Sequence, residues 1–200
     1  MLSVHICGDL AALVTSIRHR CDPLVQRLPQ PSECGAHQGG CMRNFFSGFF
    51  QFGYVTRNVD AAIASFREKF GPVEFLVNDL QPTDGKAPPT RRIALAYIDD
   101  VMTEIIEPDP TQKTIYDDVI PANDGPIHLH HFGYLIDDHA AMLEQLKAMG
   151  YDVPLHGSMQ GALDYSYADT RTDLGVFSEF IWLDEGGRAF FDLVPRTVTR

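Results

Sequence analysis

A short apolar pattern occurs twice in this chain, 80 residues apart, and it limits how the chain can be built. Residues 50–55 read Phe-Gln-Phe-Gly-Tyr-Val, and residues 130–135 read His-His-Phe-Gly-Tyr-Leu. Each run precedes a polar break and a helix-like segment, which indicates that one structural unit was duplicated. Gln51 and His131 hold matching positions, each two residues before the shared glycine. This pairing predicts one site shared between two modules.

Hydrophobic periodicity predicts the same order of elements in both units. Each unit begins with an aromatic, β-branched strand, continues with a helix and ends with three strands. A βαβββ unit of this kind leaves one sheet face bare, so the two units must pack together in an α+β fold. The predicted strands are 49–56, 73–77, 92–98, 102–107, 129–136, 153–156, 163–169 and 176–183, with an additional strand over 188–194.

The predicted organisation has four parts. Residues 1–43 form a peripheral segment, 44–108 the first module, 109–127 a linker rich in Asp and Pro, and 128–200 the second module with its extra strand. All four cysteines lie in the peripheral segment, without a C-x-x-C pair or a convincing signal peptide, so we expect reduced thiols in the cytoplasm. Two origins fit that segment: a flexible arm, or a reading frame that begins upstream of a natural start at Met42.

Charge and length exclude several classes of partner. The net charge is −11, and 24 of the 27 acidic residues lie beyond residue 41, since the preceding segment holds only three. A surface of this sign repels phosphate backbones and anionic lipids, so we expect neither a nucleic-acid nor a membrane partner. No apolar run is long enough to cross a bilayer.

Each module also contains a carboxylate inside an apolar strand. Residues 103–106 read Thr-Glu-Ile-Ile, and residues 178–181 read Ser-Glu-Phe-Ile. An acid in such a strand is unfavourable to bury unless it is paired with, or bound to, a cation. Neither Glu104 nor Glu179 has a neighbouring Lys or Arg, so both require a positive partner from elsewhere.

These motifs together resemble the vicinal oxygen chelate superfamily, which includes glyoxalase I, methylmalonyl-CoA epimerase, extradiol dioxygenases and bleomycin-resistance proteins. The resemblance covers about residues 46–183 and is closest to the epimerase-like branch. Its strongest parts are residues 130–133, His-His-Phe-Gly, and residues 175–181, Gly-Val-Phe-Ser-Glu-Phe-Ile. It implies that the two modules form a mixed, open-barrel-like sheet around one site.

Carried over position by position, the metal ligands of this family fall on Gln51, Glu104, His131 and Glu179. Three oxygen donors and one imidazole suit one divalent ion, Mn, Co, Ni, Zn or Mg. The resemblance implies that the ion polarises a substrate carbonyl and that Glu179 or Glu104 removes the adjacent α-proton as general base. The expected function is therefore a metal-dependent isomerase, epimerase or lyase.

Two other functions stay open at this stage. A ring-cleaving dioxygenase would hold Fe(II) on two histidines and a glutamate, which Gln51 does not suit. A non-enzymatic module that sequesters a hydrophobic or aromatic compound would leave the two strand acids unexplained. Asp192 in the additional strand resembles Glu179 in its context and is the alternative fourth ligand.

The expected partner is a small carbonyl compound, either an acyl-CoA or an aromatic compound. Candidates for a CoA phosphate contact are Lys86, Arg91 and Arg92. A homodimer is also expected, because related proteins often pair their modules across a dimer. We further expect His130 to point away from the site by strand alternation, and Glu107 to be solvated.

Overall fold

The structure is a computed structural model that describes residues 44–81, 87–159 and 162–198. The predicted peripheral segment lies outside these ranges. The strands are β1 (Phe49–Val55), β2 (Leu76–Asp79), β3 (Thr90–Ile98), β4 (Val101–Pro108), β5 (His128–Leu135), β6 (Leu155–Met159), β7 (Leu163–Ala168), β8 (Phe177–Leu183) and β9 (Arg196–Thr197). The helices are α1 (Val59–Phe70), α2 (His139–Met149), α3 (Arg171–Leu174) and α4 (Glu185–Phe191), with a 3₁₀ helix at Asp117–Val119.

The two repeated strands, β1 and β5, pair antiparallel at the centre of one mixed sheet. The strand order is β2-β3-β4-β1-β5-β8-β7-β6, so the second half repeats the first outward from the centre. β4 runs parallel to β1, and β8 runs parallel to β5 in the same way. This curled half-barrel of βαβββ modules confirms the predicted α+β fold. The residue boundaries of the modules stay a prediction.

The two long helices pack on the outer face of the sheet. Asn58 caps α1, where its Oδ1 accepts from the Ala61 amide at 3.0 Å, and Asp138 caps α2 through Ala141 at 2.9 Å. The duplicated sequence therefore repeats the helix start as well as the strand. Within the described ranges, no helix is long and apolar enough to cross a membrane.

The additional strand predicted over 188–194 is wrong, because the chain forms helix α4 there. Asp184 starts this helix: its Oδ1 accepts from the Gly187 amide at 2.9 Å. Gly187 also lets the helix approach the loop before β7, since a Cβ atom would lie 2.1 Å from the Ala162 carbonyl oxygen. A strand does follow, but it is β9, and it pairs with β3 in the first half. β2 and β6 also begin two or three residues later than predicted.

The chain beyond β8 crosses the inner face of the sheet from the second half to the first. α4 follows β8 directly, and β9 ends the crossing beside β3. Three apolar residues of this crossing, Phe190, Phe191 and Val194, pack with a core cluster on the inner strands. The crossing therefore covers part of the concave face. The cluster consists of Phe50, Leu95, Tyr97, Met102, Ile181 and Leu183.

Candidate metal centre

The four predicted ligands meet on the inner face because each half of the sheet places a glycine between two of them. In one row, Gly53 on β1 pairs with Glu104 on β4 and with His131 on β5. In the equivalent row, Gly133 on β5 pairs with Gln51 on β1 and with Glu179 on β8. The two rows are related by exchange of the modules. The structure thus places all four predicted residues on adjacent strands, and it brings Glu104, His131 and Glu179 into one cluster.

The two glycines are needed for space rather than for backbone conformation. A Cβ atom at Gly53 would lie 1.8 Å from Cε1 of His131, and one at Gly133 would lie 2.3 Å from Oε1 of Gln51. The ligand side chain of each central strand therefore occupies the room left by the glycine of the other.

Each of the four residues presents one buried polar atom that lacks a hydrogen-bond partner. These atoms are Gln51 Oε1, Glu104 Oε2, His131 Nε2 and Glu179 Oε2. Their residues are between 0 and 8% exposed. Buried polar groups in folded proteins are nearly always satisfied, so four such atoms within one site indicate a missing common partner.

The distances are suitable for a cation as that partner. His131 Nε2 lies 3.1 Å from Glu104 Oε2 and 3.1 Å from Glu179 Oε2, without the geometry of a hydrogen bond to either. The three donor atoms lie within 4.8 Å of one another. One N–H cannot point at both carboxylates, whereas a central ion can bind all three groups. Imidazole with oxygen donors suits a borderline or hard divalent ion.

The electrostatics of the metal-free cluster lead to the same conclusion. Burial raises the pKa of Glu104, although His131 opposes that shift. Burial alone would lower the pKa of His131, but the charges of Glu179 and Glu104 outweigh it and raise the pKa to about 9. Two carboxylates that face one imidazole place an excess of acidic groups in a buried site. A divalent ion held by the neutral imidazole would balance the charges of two carboxylates.

His130 is a site residue that sequence reasoning missed. Strand alternation predicted that it points away, but β5 has a bulge at this position: Gly53 pairs with His131 and Tyr54 with Leu129, which leaves His130 as an extra residue. Its side chain is buried, and its Nδ1 lies 3.1 Å from Nδ1 of His131. The adjacent pair of histidines was the available signal.

The alternative ligand Asp192 does not join this cluster. It is exposed and lies at the C-terminus of α4, because the segment that was expected to be a strand is helical. Glu107 was also expected to be solvated, and this is wrong: it is 5% exposed, and its Oε2 accepts from the Val59 amide at the start of α1, at 2.9 Å. That acid therefore supports a helix on the outer face.

The candidate phosphate contacts lie on the other side of the sheet. A surface cleft of about 370 Å³ is lined by Arg91 and Arg92. The Arg92 guanidinium is already neutralised by Asp60 at 2.8 Å and Asp79 at 2.6 Å. The metal-ligand cluster does not line this cleft. Lys86 lies outside the described residues.

Comparison with known proteins gives a family and a set of similar folds. The family model of the Glyoxalase/Bleomycin resistance protein/Dioxygenase superfamily matches residues 50–168. No curated protein matches the chain. Among solved structures, a hypothetical protein from Bacillus halodurans aligns with a TM-score of 0.51 at 13% identity, covering 68% of this chain and 94% of that one.

Methylmalonyl-CoA epimerases are also among these structures, in line with the branch that the sequence resembles. The enzyme from Mycobacterium tuberculosis aligns with a TM-score of 0.50 at 15% identity, covering 71% of this chain and 91% of that one. A variant of the Streptomyces coelicolor enzyme, in complex with 2-nitronate-propionyl-CoA, aligns with a TM-score of 0.50 at 15% identity, covering 68% and 94%. At this identity the likeness concerns the fold. The family match spans more than half of the sequence, so this chain belongs to the Glyoxalase/Bleomycin resistance protein/Dioxygenase superfamily.

Proposed function

We propose that this protein is a divalent-metal-dependent isomerase, epimerase or lyase that removes a proton α to the carbonyl of a small substrate. The observation that carries the proposal is a set of four unpaired buried atoms on Gln51, Glu104, His131 and Glu179, of which the last three belong to one cluster of potential ligands. Both carboxylates belong to this set, and both retain some exposure, 11% for the Glu104 side chain and 7% for that of Glu179. We propose that a substrate reaches them from this exposed side.

The four residues would hold one ion, and Mn, Co, Ni, Zn and Mg all suit this donor set. When bound, the ion supplies Lewis acidity that weakens the α C–H bond of a carbonyl compound. The chain's own residues then bind the substrate, keep water away and accept the proton. The apolar crossing segment around Phe191 supports the exclusion of water.

The carboxylates are the best candidates for the base. Burial raises the pKa of Tyr167 well above its ordinary value, so its hydroxyl stays protonated. Burial and the nearby His131 lower the pKa of His130 to about 3, but both of its ring nitrogens face protein groups. This leaves Glu179 and Glu104, whose positions in the two modules are equivalent. We propose that one of them accepts the α-proton.

One observation disfavours the dioxygenase alternative. An Fe(II) site of that class needs two imidazoles. Among the described residues, His131 is the histidine that meets the two carboxylates, while the adjacent His130 uses both nitrogens elsewhere. The alternative of a purely binding protein gives no reason for two buried carboxylates to face one imidazole.

The proposed substrate is a small carbonyl compound, with an acyl-CoA and an aromatic compound as the two candidate classes. The solved epimerases that share the fold are named for methylmalonyl-CoA, which supports the first class. Aromatic side chains beside the centre support the second: Tyr167 lies edge-on to His131 at 5.1 Å, and Tyr165 adjoins Tyr167 at 6.1 Å. The strongly acidic composition supports a small molecule over a nucleic acid or an anionic membrane, and a cytoplasmic location stays part of the proposal.

We also propose that the protein forms a homodimer through the outer face of its central strands. Phe46 and Phe49 are 54% and 42% exposed there, and Phe49 contacts Phe52 and Phe132. Exposed aromatic patches of this kind mark interaction surfaces. Sedimentation of wild type and Phe49→Lys should show a dimer and a monomer, respectively. A monomeric wild type would contradict the dimer without affecting the metal site.

The experiment that tests the proposed activity is deuterium exchange. Metal-loaded protein in D₂O is mixed with methylmalonyl-CoA or with an aromatic α-hydroxy ketone, and deuterium at the α-carbon is followed by NMR. We expect exchange with one of the two substrate classes, and its loss in Glu104→Gln or Glu179→Gln. The variant that retains the ion but loses exchange identifies the base. Exchange that survives in both variants would contradict the assignment.

A further inference from the structure

His130 is held by contacts on every side of its ring. Its Nε2 lies 3.1 Å from the Ile115 carbonyl oxygen, and its Nδ1 lies 3.1 Å from Nδ1 of His131. The ring stacks on Phe177 at 4.8 Å and 24°, and Tyr116 lies at 4.8 Å. The bulge in β5 turns this side chain to the inner face. His130 therefore has one fixed orientation.

Hydrogen-bond chemistry sets the position of each proton in this chain of groups. The Ile115 carbonyl can only accept, so Nε2 of His130 must carry a proton and donate it. A second proton on this ring would place a cation among aromatic rings, with the Arg171 guanidinium also close by, 4.5 Å from the centre of the Phe177 ring. A neutral His130 has a lone pair on Nδ1. That lone pair accepts the proton of His131 Nδ1.

We propose that His130 is a positioning residue of the metal centre: by accepting a hydrogen bond from Nδ1–H of His131, it leaves Nε2 of His131 as the ligand atom aimed at Glu104 and Glu179. The inference rests on the proposed metal site and adds a residue to it. Metal-bound histidines commonly donate their other ring N–H to a partner that fixes tautomer and orientation. The usual partner is a carboxylate or a carbonyl, whereas here it is a second imidazole, itself oriented by a carbonyl of the linker.

The equivalent position in the first module sharpens this assignment. β1 carries a matching bulge, where Phe49 pairs with Tyr134 and Gln51 with Gly133, and Phe50 is the extra residue. The first module thus has an apolar side chain where the second has His130. Gln51 needs no such partner, because an amide oxygen is a ligand without a choice of tautomer.

NMR on ¹⁵N-labelled wild type tests the proton position directly. We expect Nδ1 of His131 to carry a proton in the metal-free and in the zinc-loaded protein, with a coupling across the hydrogen bond to Nδ1 of His130. A His131 Nδ1 without a proton, or a metal-free spectrum without that coupling to His130, would overturn the proposal. The metal-free spectrum gives this result even if zinc does not bind. The role of His130 can therefore be refuted while the proposed function still stands.

Two variants test the effect on the metal, and a third serves as the control. His130→Phe copies Phe50 and keeps a ring on Phe177 but has no acceptor, whereas His130→Asn keeps an acceptor near the Nδ1 position. We expect zinc affinity to fall by about 10- to 100-fold in His130→Phe and to recover most of that loss in His130→Asn.

The control is His128→Phe, which removes an exposed histidine that lies 2.9 Å from the Val119 carbonyl oxygen, and it should bind zinc as wild type does. A folded His130→Phe that binds zinc as tightly as wild type would overturn the proposal. If His130→Phe does not fold, His130→Asn and the spectra still decide. A wild-type protein that binds zinc but does not turn over substrate would contradict the proposed activity and leave the role of His130 unaffected.

Discussion

The ring of His131 lies over Gly53 of the neighbouring strand, where a Cβ atom would approach its Cε1 to 1.8 Å. The same relationship recurs between Gln51 and Gly133, at 2.3 Å from the amide oxygen. Because each module needs this space, the repeated pattern keeps its glycine in both, although one module has Gln51 and the other has His131. The glycine makes room for the ligand of the other module, so neither module can form the centre alone.

Gly53→Ala should therefore remove metal binding without unfolding the sheet. Neither Gly53 nor Gly133 has a positive φ, so the backbone tolerates alanine and the clash falls on the ligand side chain. We expect affinity for zinc to fall by at least about 100-fold in Gly53→Ala, more than is typical for changes outside the ligand set. Gly133→Ala should cause a smaller loss, because it displaces a neutral ligand. Calorimetric titration measures both. Wild-type affinity in a folded Gly53→Ala would contradict the geometry.

The metal-free protein should lose stability as pH rises from about 6.5 to about 9. The His131 pKa is raised to about 9 in the folded chain, above its ordinary value of 6.5. A group whose pKa is raised on folding stabilises the folded state fully at a pH below its pKa in the unfolded chain. This stabilisation is lost as the pH rises through its pKa in the folded chain. The loss is on the order of 3 kcal/mol across that window.

Urea unfolding at a series of pH values, in the presence of chelator, measures this change. His131→Gln is the control, since it removes the titrating group and should flatten the curve between pH 6.5 and 9. A metal-free wild type that is equally stable across the window would contradict the proposed interaction of His131 with the carboxylates.

Asp192→Asn should leave metal affinity unchanged. Asp192 is exposed at the end of α4, and the cluster of potential ligands consists of other residues. Metal titration of this variant beside Glu179→Asn gives a direct comparison of the two acids. A large loss of affinity in Asp192→Asn, with little change in Glu179→Asn, would restore the alternative ligand.

Asp184→Ala should destabilise the segment that covers the inner face. Its Oδ1 accepts from the Gly187 amide at the start of α4, and loss of such a cap costs about 1 kcal/mol. Relative to wild type, hydrogen exchange in Asp184→Ala should become faster in α4 and β9 and change little in β1 and β5. Uniformly faster exchange throughout the sheet would show that the crossing segment does not move separately from it.

Alternation along single strands was sufficient to place Gln51 and His131 on one face, and the internal repeat matched Glu104 with Glu179, but the grouping of the four as ligands came from the family resemblance. Gln51 and His131 lie on the inner face because of the period-two pattern, and Glu104 and Glu179 occupy equivalent positions in parallel neighbours. The bulge at His130 was not predictable in this way. It depends on the pairing of two strands that lie far apart in the sequence.

The C-terminal segment shows a different limit of the sequence. A short apolar run such as 188–194 suits a strand or a buried helix equally well. Two features favour the helix here: the local Asp184 cap, and the tertiary approach of Gly187 to Ala162. Glu107 is similar, since its burial follows from the position of α1 rather than from its neighbours in the chain.

The most direct test of the metal centre is the metal content of purified protein, measured by mass spectrometry after dialysis. Wild type is compared with the double variant Glu104→Gln, Glu179→Gln, which keeps the shape of both side chains and removes both charges. We expect one divalent ion per chain in wild type and almost none in the double variant, with the fold confirmed by circular dichroism. Equal metal content in the two proteins would contradict the proposed centre.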